Sequence, residues 1–260
     1  MWSEKKPICI DLRDHDEIEV LEVNDPHFGN ECFDFDRWNR LVKLISDRPN
    51  CFIIWNGDLM ENAVPGSKSD PLTQTMSPLE QREYVVEMFK LFKDRTLAIV
   101  DGNHEHNRST RTAGLYPLYD AACITGLEDR YRSAFAVIDI SLGWGAQGRI
   151  NRPHHFVGYV CHRGKKMKNF ATADMLEGFD FVVTAHDHEP EDHPREHLCY
   201  NIVRKIVSYK SIEMIDNASN LFYGGYSARS GGRPKSDKMW YLIFGAKGKK
   251  KTVESHGFYV

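Results

Sequence analysis

Five short segments of the sequence carry side chains that can bind divalent cations or transfer protons. Their carboxylates, imidazoles and one amide are the residue types needed to hold two cations and hydrolyse a phosphoester bond. Each segment follows a run of residues that we expect to form a buried β-strand, so all five could meet at one edge of a single sheet. In chain order they are Asp25-Pro26-His27, Gly57-Asp58, Gly102-Asn103-His104-Glu105, His162 and His186-Asp187-His188.

The first and last of these segments place two potential ligands two residues apart. Residues at this spacing in an extended chain point to the same side, so Asp25 and His27 could face one cation. The same holds for His186 and His188. A D-x-H triplet is also common in surface loops, and taken alone it favours a loop without a ligand. His162 alone, beside an apolar run, favours a structural role.

The two middle segments add a carboxylate, an amide and an acid–base group. Asp58 follows a glycine at the end of an apolar run, where its carboxylate could either bind cations or cap a helix. Asn103 offers an amide oxygen that suits a hard cation, and His104 is able to transfer protons. The alternative for this segment is a polar turn.

The runs that must position these segments alternate between strand and helix patterns. Apolar runs over 18–23, 51–55 and 97–100 predict strands that lead into the first three segments. Between the last two of these runs, Ser77-Pro78-Leu79-Glu80 predicts the start of a helix with a capping box. The later part of the chain, with one short helical stretch near 170–176, has predicted strands at 135–138, 156–160, 181–183, 202–207, 212–215 and 240–244. This order predicts an α/β fold in which two sheets pack together with helices outside.

Length and composition set the remaining expectations. The 260 residues can form one large core and contain no repeat or linker, so we predict a single domain over 1–260 with a β-rich part from about residue 189. A net charge of −3 excludes a chain that attracts nucleic acid as a whole. No apolar run reaches the roughly 18–20 residues of a spanning helix, and the N-terminus lacks the apolar core of a signal peptide. Six cysteines without a C-x-x-C pair favour reduced thiols. We therefore predict a cytoplasmic protein with no membrane partner.

Taken together, the five segments resemble the signature of the calcineurin-like metallophosphoesterase superfamily. That signature is D-x-H, G-D, G-N-H-[E/D], a single H and [G/A]-H-x-H, and every element is present in order from residue 25 to 188. The resemblance implies a four-layer α/β/β/α sandwich and a metal-dependent phosphoester hydrolase. The stretch 221–226, followed by Arg229 and Arg233, is similar to phage- and prophage-borne members.

The resemblance also implies a role for each residue of the segments. His104 would face the substrate and assist the leaving group, while an attacking hydroxide would bridge two cations. Asp58 would be the ligand that both cations share. One cation would be held by Asp25, His27, Asp58 and His188, and the other by Asp58, Asn103, His162 and His186. Nitrogen and oxygen ligands without thiolate suit manganese, which we expect first, and also iron or zinc.

Departures from the branches of the superfamily narrow the substrate. Protein phosphatases carry a phosphate-binding arginine shortly after G-D, which the stretch 59–62 lacks, and lipid A precursor hydrolases carry arginine where this chain has His104. Arg163, next to His162, begins a basic run that could bind a polyanion, although such runs are often solvated loops. The polar loop 61–76 is long enough to form one wall of the site. We therefore expect a phosphodiesterase or nuclease acting on nucleic acid or nucleotides. A phosphomonoesterase and a non-catalytic scaffold are the alternatives.

Overall fold

Two β-sheets form the body of the structure, a computed structural model that describes residues 6–143, 153–162, 178–246 and 251–260. Within these residues the strands are β1 (Ile8–Leu12), β2 (Glu17–Val23), β3 (Cys51–Asn56), β4 (Thr96–Val100), β5 (Tyr131–Arg132), β6 (Phe135–Leu142), β7 (His154–His162), β8 (Phe181–Ala185), β9 (Glu191–Asp192), β10 (Arg195–Asn201), β11 (Ile206–Asp216), β12 (Lys238–Gly245) and β13 (Thr252–Tyr259). The first sheet has the order β13-β12-β2-β3-β4-β5, and β2 to β5 run parallel. The second has the order β1-β6-β7-β8-β11-β10, with β9 paired to β11.

Helices cover the outer face of the first sheet. The described helices are α1 (Phe35–Asp47), α2 (Pro78–Leu91), α3 (Asn103–Glu105), α4 (Arg111–Ala113), α5 (Pro117–Thr125) and α6 (Gly225–Arg229). The predicted start of α2 is confirmed, because Ser77 and Glu80 form the reciprocal hydrogen bonds of a capping box. The expected short helix near 170–176 lies outside the described residues. None of the described helices is long and apolar enough to cross a membrane.

The two largest hydrophobic clusters of the described residues lie on opposite faces of the first sheet. In β2, Val20 packs between the two sheets, whereas Leu21 packs under the helices. In β3, Ile54 likewise packs between the sheets and Trp55 packs under the helices. Because both faces are covered, these strands are continuous apolar runs, as is typical of buried parallel strands. The predicted α/β class with two packed sheets is confirmed.

The C-terminal strands complete both sheets. β12 pairs antiparallel with β2, so residues near the end of the chain extend the first sheet. The strand expected over 202–207 was partly wrong, because β10 ends at Asn201 and β11 begins at Ile206. Ile202 and Val203 lie instead at an exposed hairpin turn, where an apolar pattern does not report burial.

Candidate metal centre

The candidate ligands lie where the carboxyl ends of strands from both sheets meet. Asp25, Asp58 and Asn103 follow β2, β3 and β4 of the first sheet within three residues of each strand end. His162 ends β7 and His186 follows β8, and both strands belong to the second sheet. The expectation of one edge of one sheet was therefore wrong. The two sheets pack face to face, so equivalent ends of both reach the same place.

Five of the seven predicted metal ligands have left-handed backbone conformations. The φ angles are 48° at Asp25, 53° at His27, 48° at Asp58, 94° at His186 and 53° at His188. Such conformations are uncommon for residues other than glycine and cost on the order of 1–3 kcal/mol each, which is why they concentrate at functional sites. Backbone hydrogen bonds hold them, for example from Asp25 N–H to the carbonyl of Gly57 at 3.1 Å. The fold thus turns these side chains towards one point.

The first cluster of potential ligands contains Asp25, His27 and His188. His188 Nε2 lies 3.0 Å from Asp25 Oδ1 and 3.2 Å from His27 Nε2. The third pair, His27 Nε2 and Asp25 Oδ1, is 3.7 Å apart. Ligands at about 2.1 Å from one cation lie roughly 3.0–3.4 Å from each other, so the first two separations suit a shared cation, whereas His27 and Asp25 are slightly farther apart.

The second cluster contains Asp58, His162 and His186. His162 Nε2 lies 3.2 Å from Asp58 Oδ2 and 3.3 Å from Asn103 Oδ1, and His186 Nδ1 lies 3.9 Å from Asp58 Oδ2. Asp58 is also grouped with His27 of the first cluster. Its carboxylate therefore lies between the two clusters, where a bridging ligand is expected.

The donor atoms of these residues fit divalent cations. His162 Nδ1 donates to the carbonyl of Asn56 at 2.7 Å, which directs its other nitrogen towards Asp58 and Asn103. The buried Nδ1 of His186 has no hydrogen-bond partner in the described structure, as expected for an atom that can coordinate a metal ion. The structure therefore brings together the seven residues predicted as ligands, and their binding of metal stays a prediction.

The charges of the cluster shift the pKa values of its histidines. Burial alone would lower the pKa of His27, but the neighbouring carboxylates of Asp25 and Glu61 raise it to about 10. Burial acts in the same way on His162, where Asp58 and Asp25 raise the pKa to about 10. A proton thus occupies a position on each ring that a cation would otherwise take.

Two glycines of the motifs allow the loops to approach each other. A Cβ atom on Gly102 would lie 2.1 Å from Asp58 Oδ1, and one on Gly57 would lie 2.7 Å from His162 Nδ1. Gly57 also has a φ angle of 73°, which favours glycine. The G-D and G-N-H loops can therefore pack against each other only without side chains at these positions.

His104 lies beside the clusters and is held by its neighbours. Its Nδ1 donates to the carbonyl of Glu61 at 3.0 Å, and its Nε2 accepts from Arg108 Nη2 at 2.9 Å. Burial is the main cause that lowers the pKa of His104 to about 4; the charge of Asp58 opposes it, and His27 and Arg108 add to it. His104 is thus neutral at pH 7, and the lone pair of its Nε2 points towards the Arg108 guanidinium.

Sequence reasoning missed two residues of this centre, Glu61 and Arg108. The Glu61 carboxylate is buried, 3.2 Å from His27 Nδ1 and 3.0 Å from Arg108 Nη1. Arg108 follows His104 by four residues, in a short π-helical turn over His106–Thr110 that continues α3. Helical spacing from His104 was the signal that could have found it. The candidate substrate residue Arg163 lies outside the described residues.

A cavity of about 690 Å³ opens over the two clusters. Its lining includes His27, Asp58 and His188 of the clusters, Lys68 and Gln74 of the loop after Glu61, and residues of segment 219–237. Its volume is within the roughly 300–1,000 Å³ that is typical of ligand pockets. The cavity can therefore hold a substrate considerably larger than inorganic phosphate.

Several solved structures are similar to the chain at low identity. Vacuolar protein sorting 29 from Cryptosporidium parvum is 13% identical, with 94% of this chain and 99% of that chain covered and a TM-score of 0.38. Zinc-complexed Vps29 from Entamoeba histolytica is 11% identical, with 92% and 99% covered and a TM-score of 0.37. A metallophosphoesterase from Sphaerobacter thermophilus is 12% identical, with 94% and 90% covered and a TM-score of 0.37. Likenesses of this strength support no conclusion about activity.

The family model gives the decisive comparison. Among curated proteins, none gives a significant match to this chain. The model of the calcineurin-like phosphoesterases matches residues 18–215, about three quarters of the chain and all five motif segments. The chain therefore belongs to the calcineurin-like phosphoesterase family and is a phosphoester hydrolase.

Proposed function

We propose that this protein hydrolyses phosphodiester bonds in nucleic acid or nucleotides, using two divalent cations. The clusters around Asp25 and Asp58 would hold the cations, with Asp58 shared between them. Bound divalent cations lower the pKa of water and neutralise the charge of a phosphoryl group. The observation that carries the proposal is the joint position of both clusters, His104 and Arg108 along one cavity.

His104 and Arg108 would act on the substrate from the same side. The Arg108 guanidinium lies against His104 Nε2, so an anionic phosphoryl group placed there meets a fixed positive charge. An anion near His104 raises the pKa of its imidazole, the opposite of the effect of Arg108. His104 would then be able to give a proton to the leaving oxygen.

Glu61 supports a diester over a monoester. Its buried carboxylate lies beside His27 and Arg108, in the stretch where protein phosphatases have their arginine. A phosphomonoester carries nearly two negative charges at neutral pH, whereas a diester carries one. The Glu61 charge therefore disfavours a monoester more strongly.

The two alternatives depend on other observations. Arg108 favours a phosphomonoesterase, since it supplies from another segment the cation that the G-D segment lacks. A non-catalytic scaffold is disfavoured by the presence of every ligand type in place.

A cytoplasmic location stays a prediction.

A comparison of two chromogenic substrates tests the proposal. With manganese added, we expect higher kcat/KM for bis-p-nitrophenyl phosphate than for p-nitrophenyl phosphate. Faster turnover of the monoester would favour the phosphomonoesterase. No turnover of either, together with no bound metal by elemental analysis, would favour the scaffold. Parallel assays with manganese, iron and zinc would identify the metal, and a panel of DNA, RNA and cyclic nucleotides the substrate.

A further inference from the structure

The cavity extends beyond the metal clusters along segment 219–237, a part to which the proposed catalysis assigns no role. The lining here includes two aromatic side chains, Phe222 and Tyr223, and the basic side chains of Arg229, Arg233 and Lys235. Aromatic and basic side chains together in a groove are typical of sites that bind single-stranded nucleic acid.

The beginning of this segment is fixed beside the first cluster. Asn220 N–H donates to the carbonyl of Asp25 at 3.3 Å, and Phe222 N–H donates to the carbonyl of Cys32 at 3.0 Å. Leu221 forms a β-bridge with Phe33 between these two bonds. The aromatic pair is therefore attached to the loop that carries Asp25, and its distance from the metal centre is set by backbone hydrogen bonds.

The end of the segment lies beside the H-x-H turn, which supplies one candidate ligand to each cluster. Lys235 Nζ donates to the carbonyl of Asp187, the residue between His186 and His188. Arg233 Nη2 lies 3.7 Å from Glu189 Oε1, a long and exposed ion pair of the kind that contributes little free energy. The basic side chains of Arg233 and Lys235 thus lie next to the H-x-H turn, and Lys235 is hydrogen-bonded to the backbone of that turn.

The aromatic rings are exposed to the cavity and one of them is held in place. Phe222 is 52% exposed and Tyr223 is 48% exposed. The Tyr223 hydroxyl donates to the carbonyl of Gly232 at 2.8 Å, which fixes the direction of the ring. A half-exposed ring that is fixed before binding, such as that of Tyr223, offers a flat face on which a base can stack at small entropic cost.

Two basic side chains in this part of the cavity, Arg233 and Lys235, are exposed and can contact an anion. Arg229 is engaged by Glu31 at 2.7 Å, whereas Arg233 is 81% exposed. Lys235 is exposed, and its bond is to a neutral carbonyl. A phosphate between these two side chains would therefore compete only with the long, exposed contact of Arg233 with Glu189.

We propose that Phe222, Tyr223, Arg233 and Lys235 form a subsite for the nucleotide adjacent to the scissile phosphodiester of a single-stranded nucleic acid. The base stacks on the rings, and its phosphate contacts the two cations. Stacking needs an unpaired base, so the subsite selects single strands over duplexes. This inference rests on the proposed phosphodiester hydrolysis at the neighbouring centre.

Binding of a fluorescein-labelled single-stranded oligothymidylate, measured by anisotropy with a chelator present, tests the subsite without cleavage. We expect Phe222→Ala to raise Kd about tenfold and Phe222→Trp to restore binding. We expect Arg233→Gln to reduce the slope of log Kd against log salt by about 0.7, the change for one lost phosphate contact. Tyr209→Ala, at an exposed tyrosine that does not line the cavity, and Lys90→Gln, on the surface of α2, are the matched controls and should leave both quantities unchanged.

Hydrolysis is measured separately, so the two proposals fail in different ways. In the active protein, Phe222→Ala should reduce the ratio of kcat/KM for the oligonucleotide to that for bis-p-nitrophenyl phosphate. Equal Kd for the wild type and Phe222→Ala, or equally tight binding of a duplex, would overturn the subsite even if diester hydrolysis were found. Binding that depends on Phe222 would support the subsite, and absence of diester hydrolysis would then overturn only the proposed function.

Discussion

Glu105 Oε2 accepts a hydrogen bond from the backbone N–H of Asp58 at 3.0 Å. The same oxygen accepts from Gly102 N–H at 3.0 Å, and Oε1 accepts from Met60 N–H at 2.9 Å. The carboxylate is fully buried, and burial together with the charge of Asp58 raises its pKa to about 7. Glu105 thus joins the G-D loop to the G-N-H loop without being a predicted ligand.

Replacing this carboxylate should loosen the loop that carries Asp58. Glu105→Gln leaves one acceptor oxygen and places an amide donor against backbone donors. We expect a loss of about 2–3 kcal/mol in the free energy of unfolding by urea, because buried N–H groups lose their acceptors. Glu80→Gln, in the exposed capping box of α2, is the matched control and should cost under about 1 kcal/mol. Equal losses in both variants would contradict the special position of Glu105.

His104→Ala should reduce turnover while the fold is retained. We expect kcat to fall by roughly 10²–10⁴, the usual contribution of a general acid. His106→Ala, two residues away on the exposed side of the same turn, should keep wild-type activity and melting temperature. Wild-type kcat in His104→Ala would remove this histidine from the mechanism.

Arg108→Gln should weaken the contact with a phosphoryl group. We expect kcat/KM to fall by about 10- to 100-fold for both chromogenic substrates, since a charge-assisted contact contributes about 1.5–3 kcal/mol. Arg111→Gln, at an exposed arginine one turn further on, serves as the control. A larger loss for the monoester than for the diester would indicate that Arg108 serves a phosphatase. An unchanged kcat/KM would exclude its contact with substrate.

Uptake of metal should release protons. The carboxylates raise the pKa of His27 and of His162 to about 10, so both imidazoles are protonated at neutral pH in the metal-free protein. A cation needs the same lone pairs, so we expect about two protons to leave when both cations bind, and affinity to increase as pH rises towards 10. Titration of manganese into weakly buffered protein with a pH indicator measures this number. Binding without proton release would contradict the protonated state of these histidines in the metal-free protein.

Gly102→Ala should displace Asp58, because the added Cβ would lie 2.1 Å from its Oδ1. We expect at least about tenfold weaker manganese binding, since 1.4 kcal/mol of lost ligand geometry already corresponds to that factor. Gly66→Ala provides the control, because a new Cβ at Gly66 would have no atom within 4 Å, although Gly66, unlike Gly102, has a positive φ of 87°. It reports backbone strain alone, measured by urea unfolding. Unchanged manganese affinity in Gly102→Ala would mean that the G-D and G-N-H loops can move apart without disturbing the metal ligands.

The sequence located the motif segments because Asp58, Asn103 and His186 follow strands that are fully buried, while metal binding by these residues stays a prediction. In such strands a continuous apolar run marks the strand end, and the polar residue after it, such as Asp58, lies at the sheet edge. Ser77 and Glu80 likewise marked the start of α2 through a local rule of hydrogen bonding. These features depend on short stretches of chain.

Features that depend on distant pairing were not predictable in the same way. The candidate metal centre draws ligands from two sheets because β7 and β8 pack against the first sheet, and no local sequence pattern indicates that packing. Arg108 was missed because the expected arginine was sought in the G-D segment, whereas the structure supplies it from the turn after His104. The role of segment 219–237 depends on its bonds to Asp25 and Asp187, which are far away in sequence.

The division of ligands between the sheets has a mechanical consequence. Asp25 and His27 extend from one layer of the sandwich and His188 from the other, and Asp58 stands opposite His162 and His186 in the same manner. A cation in either cluster would therefore cross-link two layers that are otherwise joined mainly by apolar side chains. Sliding of one layer over the other would have to break coordination bonds, so the loaded enzyme should be stiffer across this interface than the empty one.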